Sequence, residues 1–209
     1  MITEKPTPPR AEEVYSFWFF PGYIEELVRV LSQGKRLWWH TQDVEVDRRV
    51  ASLFTNDLEK AKAGAYGDWL ETSRGTLAFL ILVDQMPRHI YRGDPRAFSF
   101  DKLALSTCRN GIARGFDKPL DSVQRYFFYL PFMHDESLET QGEGITLYED
   151  LYRTSPENLK LGMGIVRDAA RRHYEIIQRF GRFPHRNEAL SRRTTPEEEA
   201  FLKEPHSSF

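Results

Sequence analysis

Asp84, Gln85, Arg88 and Arg92 fall within nine residues, and Asp84 occupies a place where an apolar side chain belongs. It lies seven, four and three residues after Leu77, Leu80 and Ile81, on the apolar face of a helical pattern and near its C-terminal end, where negative charge is disfavoured. A carboxylate so placed requires a cation. Arg88 is the local candidate, and Arg92 and the arginines between 179 and 186 are the distant ones. His173 is a second polar residue on an apolar stripe. His134 and Glu136 follow Pro131, at a point where a helix is expected to break and aim side chains into a cleft. Histidine beside carboxylate is the raw material of proton transfer, so His134, Glu136 and His173 are the candidate catalytic residues. The competing reading makes Asp84 part of an internal ion pair and His173 a satisfied core histidine.

The stretch "RFGRFPHRNEAL" gathers Arg179, Arg182, His185 and Arg186 with Phe180 and Phe183 where the longest helical pattern stops. From Lys160 to Arg193 there are nine Lys or Arg and three Asp or Glu, so this segment carries +6 and the remainder −8. Gly181 and Pro184 suit a helix stop, and cations at a helix C-terminus complement its dipole. That explains Arg179 better than Arg182, His185 and Arg186. Arginine grips carboxylate or phosphate with two parallel hydrogen bonds, and phenyl rings can wall such a place. Asp84, Gln85, Arg88, Arg92, Arg179, Arg182, His185 and Arg186 are therefore the candidate ligand-binding residues. An internal latch with Asp84 or Glu136 as its anion is the alternative. The order His89, His134-Asp135, Asp168 superficially echoes helical metal phosphohydrolases, but Asp168 lies five residues from His173 and off its face. No metal site and no cofactor are expected.

A net charge of −2 with 40% hydrophobic residues gives no global pull toward nucleic acid or acidic lipid, so neither is an expected partner. The one cysteine, Cys108, excludes an internal disulfide framework and suits a reducing compartment, with cytoplasm as the expected location. The longest apolar run, "LAFLILV" at 77–83, falls far short of the roughly 20 residues that span a bilayer, and "MITEKPTPPR" lacks a secretory apolar region.

Apolar spacing near 3.6 prevails throughout, which predicts an all-α fold. The expected helices run from Pro9 to Phe19, and from a cap at Thr41 or Asp43 to Gly64 with Val46, Val50, Leu53 and Phe54 on one face. A third extends from a Ser73 cap to Met86, where Pro87 breaks or kinks it, and a fourth from Asp94-Pro95 to about Gly115. Asp121 or Ser122 caps an aromatic segment that Pro131 interrupts, and a helix near 138–152 follows. The longest helix opens at Ser155-Pro156-Glu157 and carries the stripe Leu159, Met163, Val166, Ala170, His173, Ile177 and Phe180. "TTPEEEAFLKE" reads as a capped terminal helix. Short connections argue for antiparallel helices stacked in one domain over 1–209, with the ends at about 1–10 and 204–209 loose.

Several separated motifs, "LVDQMPRHIYRG", "FFYLPFMHDE" and "HYEIIQRFGRFPHRNEALSR", resemble in order the bacterial family known as domain of unknown function 924. The likeness runs from about Val14 to Leu202. It implies an all-helical fold similar to the tetratricopeptide-like superhelices and no established activity, substrate or cofactor. The family pattern Asp-Gln-Phe-Pro-Arg-Asn is matched at Asp84, Gln85, Pro87 and Arg88 and departs at Met86 and His89. Arg92, His134, Glu136, His173, Arg179, Arg182, His185 and Arg186 also match it, whereas Asp135 occupies a variable place. The His89 and Asp135 departures weigh further against a metal site.

The expected function is binding of a small or peptidic anion, carboxylate or phosphate, in a cleft lined by these Arg, His and Asp residues. Arg88, Arg182 and Arg186 would grip it, and His134 and His173 would be positioned by hydrogen bonds. One alternative is a metal-free hydrolase or lyase with His134 or His173 as base and Glu136 or Asp84 orienting it. Another is a protein-binding scaffold exposing Trp38, Trp39 and Tyr66.

Overall fold

Side-chain caps set where several of the helices begin. In the computed structural model, which describes residues 5–35, 37–205 and 207, all regular structure is helical. The helices are α1 (Pro9–Trp18), α2 (Tyr23–Ser32), α3 (Val44–Lys62), α4 (Ser73–Leu80), α5 (Met86–Ile90), α6 (Asp101–Ala113), α7 (Ser122–His134), α8 (Leu138–Thr154), α9 (Lys160–Phe180) and α10 (Pro196–Leu202). Asp43 caps α3 through the Glu45 and Val46 amides, and Asp121 with Gln124 forms a reciprocal capping box on α7. Thr195 and Glu198 form another on α10. At α4 the cap is Thr72, one residue before the expected Ser73, with its oxygen accepting from the Gly75 amide. Gly64 (φ 77°) follows α3, and Gly181 (φ 67°) ends α9 in the left-handed conformation that glycine adopts without a Cβ penalty.

The expected breaks at proline turn out otherwise. Pro131 lies inside α7, which runs through it unbroken. Neighbouring side chains serve the carbonyls of that stretch, with Cys108 Sγ donating to Phe128 O and Tyr148 Oη to Tyr126 O. Pro87 does not end the apolar helix either. The chain widens into a π-helical turn over Ile81–Gln85, with the Met86 amide donating to the Ile81 carbonyl five residues back, and re-enters α5 with Pro87 in its first turn. The segment expected to be one helix from Pro95 divides into a 3-10 turn over Pro95–Phe98 and α6. Helix α2 has no counterpart among the expected elements.

One hydrophobic cluster extends from α1 through α8 into α9, centred on Trp18, Leu58, Trp69, Leu80, Phe127 and Phe128. Trp39 is buried and its indole N–H donates to Trp18 O, while Trp38 packs on Phe17 and Trp18. Tyr66 stacks on Trp69 and donates to Asp57. These three rings are thus engaged within the molecule. The α9 stripe faces inward as expected, but on α3 Val50 and Phe54 are buried and Leu53 is exposed. A second, smaller cluster of Ile176, Ile177, Phe183 and Phe201 fastens α10 to the end of α9. α7, α8 and α9 pack as successive hairpins. Of the ends expected to be loose, residues 1–4, 206 and 208–209 lie outside the described residues. Arg10 is helical and donates to both oxygens of buried Asp57.

Glycine substitutions separate close packing from helix propensity. A Cβ at Gly75 would meet the Trp69 carbonyl oxygen at 2.3 Å, whereas at Gly142 in α8 the nearest atom is 3.9 Å away. Gly75→Ala is expected to cost about 2 kcal/mol or more, and Gly142→Ala to stabilise by about 0.5–1 kcal/mol. Urea unfolding of the two variants checks the opposite signs.

Candidate functional site

Asp84 ends up buried because the π-helical turn that holds it is covered on every side, by α3 and α5, by α6 and by α7. Its side chain is 1% exposed. The carboxylate accepts from His134 Nδ1 at 2.7 Å and from Gln85 Nε2 at 2.5 Å. Arg88 Nη1 is 3.8 Å from Asp84 Oδ1 and donates to the Asp84 carbonyl at 2.6 Å. Burial disfavours the ionised carboxylate, but His134 and Arg88 outweigh it and hold the group at about 2. Since a carboxylate only accepts, its bond to Nδ1 fixes His134 with the proton on Nδ1 and a lone pair on Nε2. Burial and Arg88 together lower the pKa of His134 against the pull of Asp84, so the ring is neutral at pH 7. It lies at the end of α7, whose last carbonyls are capped by Gln141, donating to Met133 O and Asp135 O at 2.7 Å each. The His134 side chain keeps 14% exposure.

From Asp84 a chain of contacts leads to the end of α9. Arg88 Nη2 lies 2.9 Å from Asp101 Oδ1, and Arg186 Nη1 donates to Asp101 Oδ2 at 3.3 Å. Both guanidinium groups lie over the Phe98 ring, and Arg186 also lies 4.6 Å from the centroid of Phe183. Arg186 is 7% exposed, yet its Nε has no hydrogen-bond acceptor among the described residues. Burial and the nearby Arg88 pull its pKa down to about 10, which leaves it charged at neutral pH. His173 donates from Nδ1 to Ala169 O at 2.8 Å and meets Phe183 edge-on. Burial, reinforced by His134 and Arg186, lowers its pKa to about 3, and burial with Arg186 does the same to His185. His134, His173, His185, Arg88 and Arg186 therefore share one low-dielectric neighbourhood.

The other candidates are engaged elsewhere. Glu136 accepts from the Phe183 amide at 2.8 Å and from Arg192 Nη1 at 2.7 Å, so it pins the segment after α9. Arg92 makes a bidentate pair with Asp47, which also accepts from His89 Nδ1 at 2.8 Å, tying α5 to α3. Arg179 pairs with Glu197 at the surface. Arg182 donates to both oxygens of Glu198 and to Arg193 O, locking α10 in place. Asp101, Phe98, Gln141 and Arg192 were not singled out by sequence, although Arg192 belongs to the cation-rich segment. Among the described residues no group of three or more His, Cys, Asp or Glu is arranged to hold a metal ion, and no helix is long and apolar enough to cross a membrane.

The sequence model of the bacterial proteins of unknown function DUF924 matches residues 14–206. The chain belongs to this family. Its fold is similar to that of a solved protein of unknown function from Agrobacterium tumefaciens, at 31% identity and a TM-score of 0.72, covering 87% of this chain and 97% of that one. No curated protein matches the sequence. Family membership supplies no chemistry, so any role has to be argued from the side chains themselves.

The neutral buried histidines make stability pH-dependent in a defined direction. Unfolded, each takes up a proton near its ordinary value of 6.5; folded, His173 and His185 resist protonation down to about 3. Their contribution is complete above pH 6.5 and is lost as pH falls toward 3, by up to about 1.4 kcal/mol per pH unit for each ring. Urea unfolding between pH 7 and 4.5 is expected to show a steep decline that His173→Gln makes shallower by about one proton. An unchanged slope in the variant would contradict the assignment.

Proposed function

We propose that the protein binds a small or peptidic oxyanion, carboxylate or phosphate, at Arg186, with Arg88 and His134 alongside. The observation that carries this reading is the buried Arg186 guanidinium, which has five N–H donors and one weak acceptor, Asp101, among the described residues. A buried charged donor left without an acceptor is costly, and an oxyanion across the Nε edge would satisfy it in the bidentate manner that arginine favours. Phe98 and Phe183 wall the place. Arg182, in contrast, is fully occupied by Glu198 and Arg193 and serves the scaffold. The stacked antiparallel pairs suit a tetratricopeptide-like superhelix as the frame, and the single buried thiol, Cys108, suits a cytoplasmic setting.

A second reading, a metal-free acid–base enzyme, is favoured by one contact, the 2.7 Å bond between Asp84 and His134 Nδ1. It leaves Nε2 of a neutral ring able to take a proton, with Asp84 in the orienting role in place of Glu136. In that case a bound anion would be substrate.

Titration of the 15N-labelled protein with acetate and with inorganic phosphate tests the main reading. Saturable shifts centred on Arg186 are expected, with affinity reduced about 10-fold or more in Arg186→Gln. Arg179→Ala is expected to bind as the parent does. Equal binding by Arg186→Gln, or no saturable response in the parent, would overturn the proposal.

A further inference from the structure

We propose that residues 182–205 form a strap that lifts as one body from the end of α9 and the start of α6, and that this opening admits the oxyanion to Arg186. The inference rests on the oxyanion reading above and supplies the regulation of that site. It starts from enclosure. The Arg186 side chain is 7% exposed, and its Nε is sealed from solvent without an acceptor among the described residues. A ligand that pairs with that edge needs a path to it, and Arg186 itself belongs to the segment that follows α9. Movement of that segment is the direct path.

The segment is built to move as a unit. Gly181 ends α9 in the left-handed conformation, and its amide, donating to Ile177 O, closes the last turn. Beyond it the backbone bonds close on the segment itself: Arg186 N–H donates to Phe183 O, Leu190 N–H to Arg186 O and Arg192 N–H to Asn187 O. Side chains do the same. Arg182 donates to both oxygens of Glu198, Asn187 Nδ2 donates to the same carboxylate at 3.2 Å, and Arg192 Nη2 donates to Phe183 O at 2.9 Å. All of these bonds survive a rigid displacement.

What fastens the strap to the body is slighter. Phe183 and Phe201 pack on Ile176, Ile177 and Phe180 of α9, in a small cluster separate from the main core. The polar tethers include Glu136 with the Phe183 amide and Arg192, Asp101 with Arg186 at 3.3 Å, Arg179 with Glu197 at the surface, and Arg172 with Pro205 O at 3.1 Å. Water can replace each of these. Closure also strands polar atoms: Arg186 Nε, Arg192 Nε and Asn187 Oδ1 on the strap, and Arg172 Nε on α9, are buried with no hydrogen-bond partner among the described residues. Each unmet group costs free energy while the strap is down and is satisfied by water once it lifts. The strap therefore belongs to the low-stability end of the molecule, while α4 and α7 lie in the main core and open with global unfolding.

Native-state hydrogen exchange of the whole protein is the test, with inorganic phosphate as the probe anion. The Leu190, Arg192 and Glu199 amides are expected to share one opening, at least about 100-fold more frequent than that of the α4 and α7 amides. Glu136→Gln weakens the tether to Arg192 from the body side. It is expected to raise exchange in the strap about 10-fold and to leave α4 and α7 unchanged. The association rate of phosphate, read from 15N line shapes, should rise by the same factor. Should Glu136→Gln not fold, Arg192→Gln loosens the same tether from the other side. One common exchange rate for strap and core, in parent and variant, would overturn the strap. Saturable phosphate binding at a rate indifferent to the variant would overturn the gate and leave the oxyanion reading standing. Separate opening of the strap with no saturable phosphate binding would overturn the oxyanion reading and the gate with it.

Discussion

A carboxylate with 1% exposure on an apolar helix face is the constraint around which this molecule is arranged. Moving such a charge out of water costs several kcal/mol even after relaxation, about as much as a small domain has in total stability. Asp84 can stay ionised only if cations and N–H donors surround it, and three parts of the chain supply them. The π-helical turn gives Gln85, α5 gives Arg88 and α7 gives His134, while Asp101 at the start of α6 carries the network on from Arg88 to Arg186 after α9. The same contacts that neutralise Asp84 therefore fix how these elements dock. They also set the tautomer of His134 and leave Arg186 short of acceptors. Structural pairing and potential chemistry are the same set of bonds, and the cluster serves as an internal latch as well as a candidate site.

Much of this was legible in the sequence. The spacing from Leu77, Leu80 and Ile81 marks Asp84 as misplaced, and Arg88 four residues later is the cation that spacing predicts. His173 announces itself by interrupting a regular stripe. Other parts were not legible, for physical reasons. Asp101 opens a helix, where an acidic residue is ordinary, so nothing in the local pattern separates a bridging carboxylate from one that merely complements the dipole. Pro87 reads as a break because proline lacks an N–H, but a helix can also widen by one residue to spare that donor, and the choice depends on what packs around it. Arg92 is near Asp84 in sequence and faces Asp47 in space, because the turn after α5 carries it toward α3.

The cation-rich segment illustrates the limit of charge counting. Its +6 surplus suggested a patch for anions, yet most of these arginines have carboxylates supplied from elsewhere. Glu197 and Glu198 come from α10, Glu136 from the end of α7, and Glu149 from α8. Arg186 is the buried member of the set, paired with Asp101 at 3.3 Å and with its Nε lacking an acceptor among the described residues, and that residue rather than the surplus carries the functional argument. Similarity to the Agrobacterium tumefaciens protein establishes the shared fold, and a fold hosts many chemistries.

The central claim is that Asp84 and His134 act as one coupled unit inside the core. A double-mutant cycle with Asp84→Ala, His134→Ala and the double variant, followed by urea unfolding at pH 7, measures that coupling directly. Each single change is expected to cost about 3 kcal/mol or more where a buried charge or its partner is stranded, and the double variant markedly less than the sum. Coupling of at least about 1.5 kcal/mol is the predicted result; additivity to within about 0.5 kcal/mol would contradict the account.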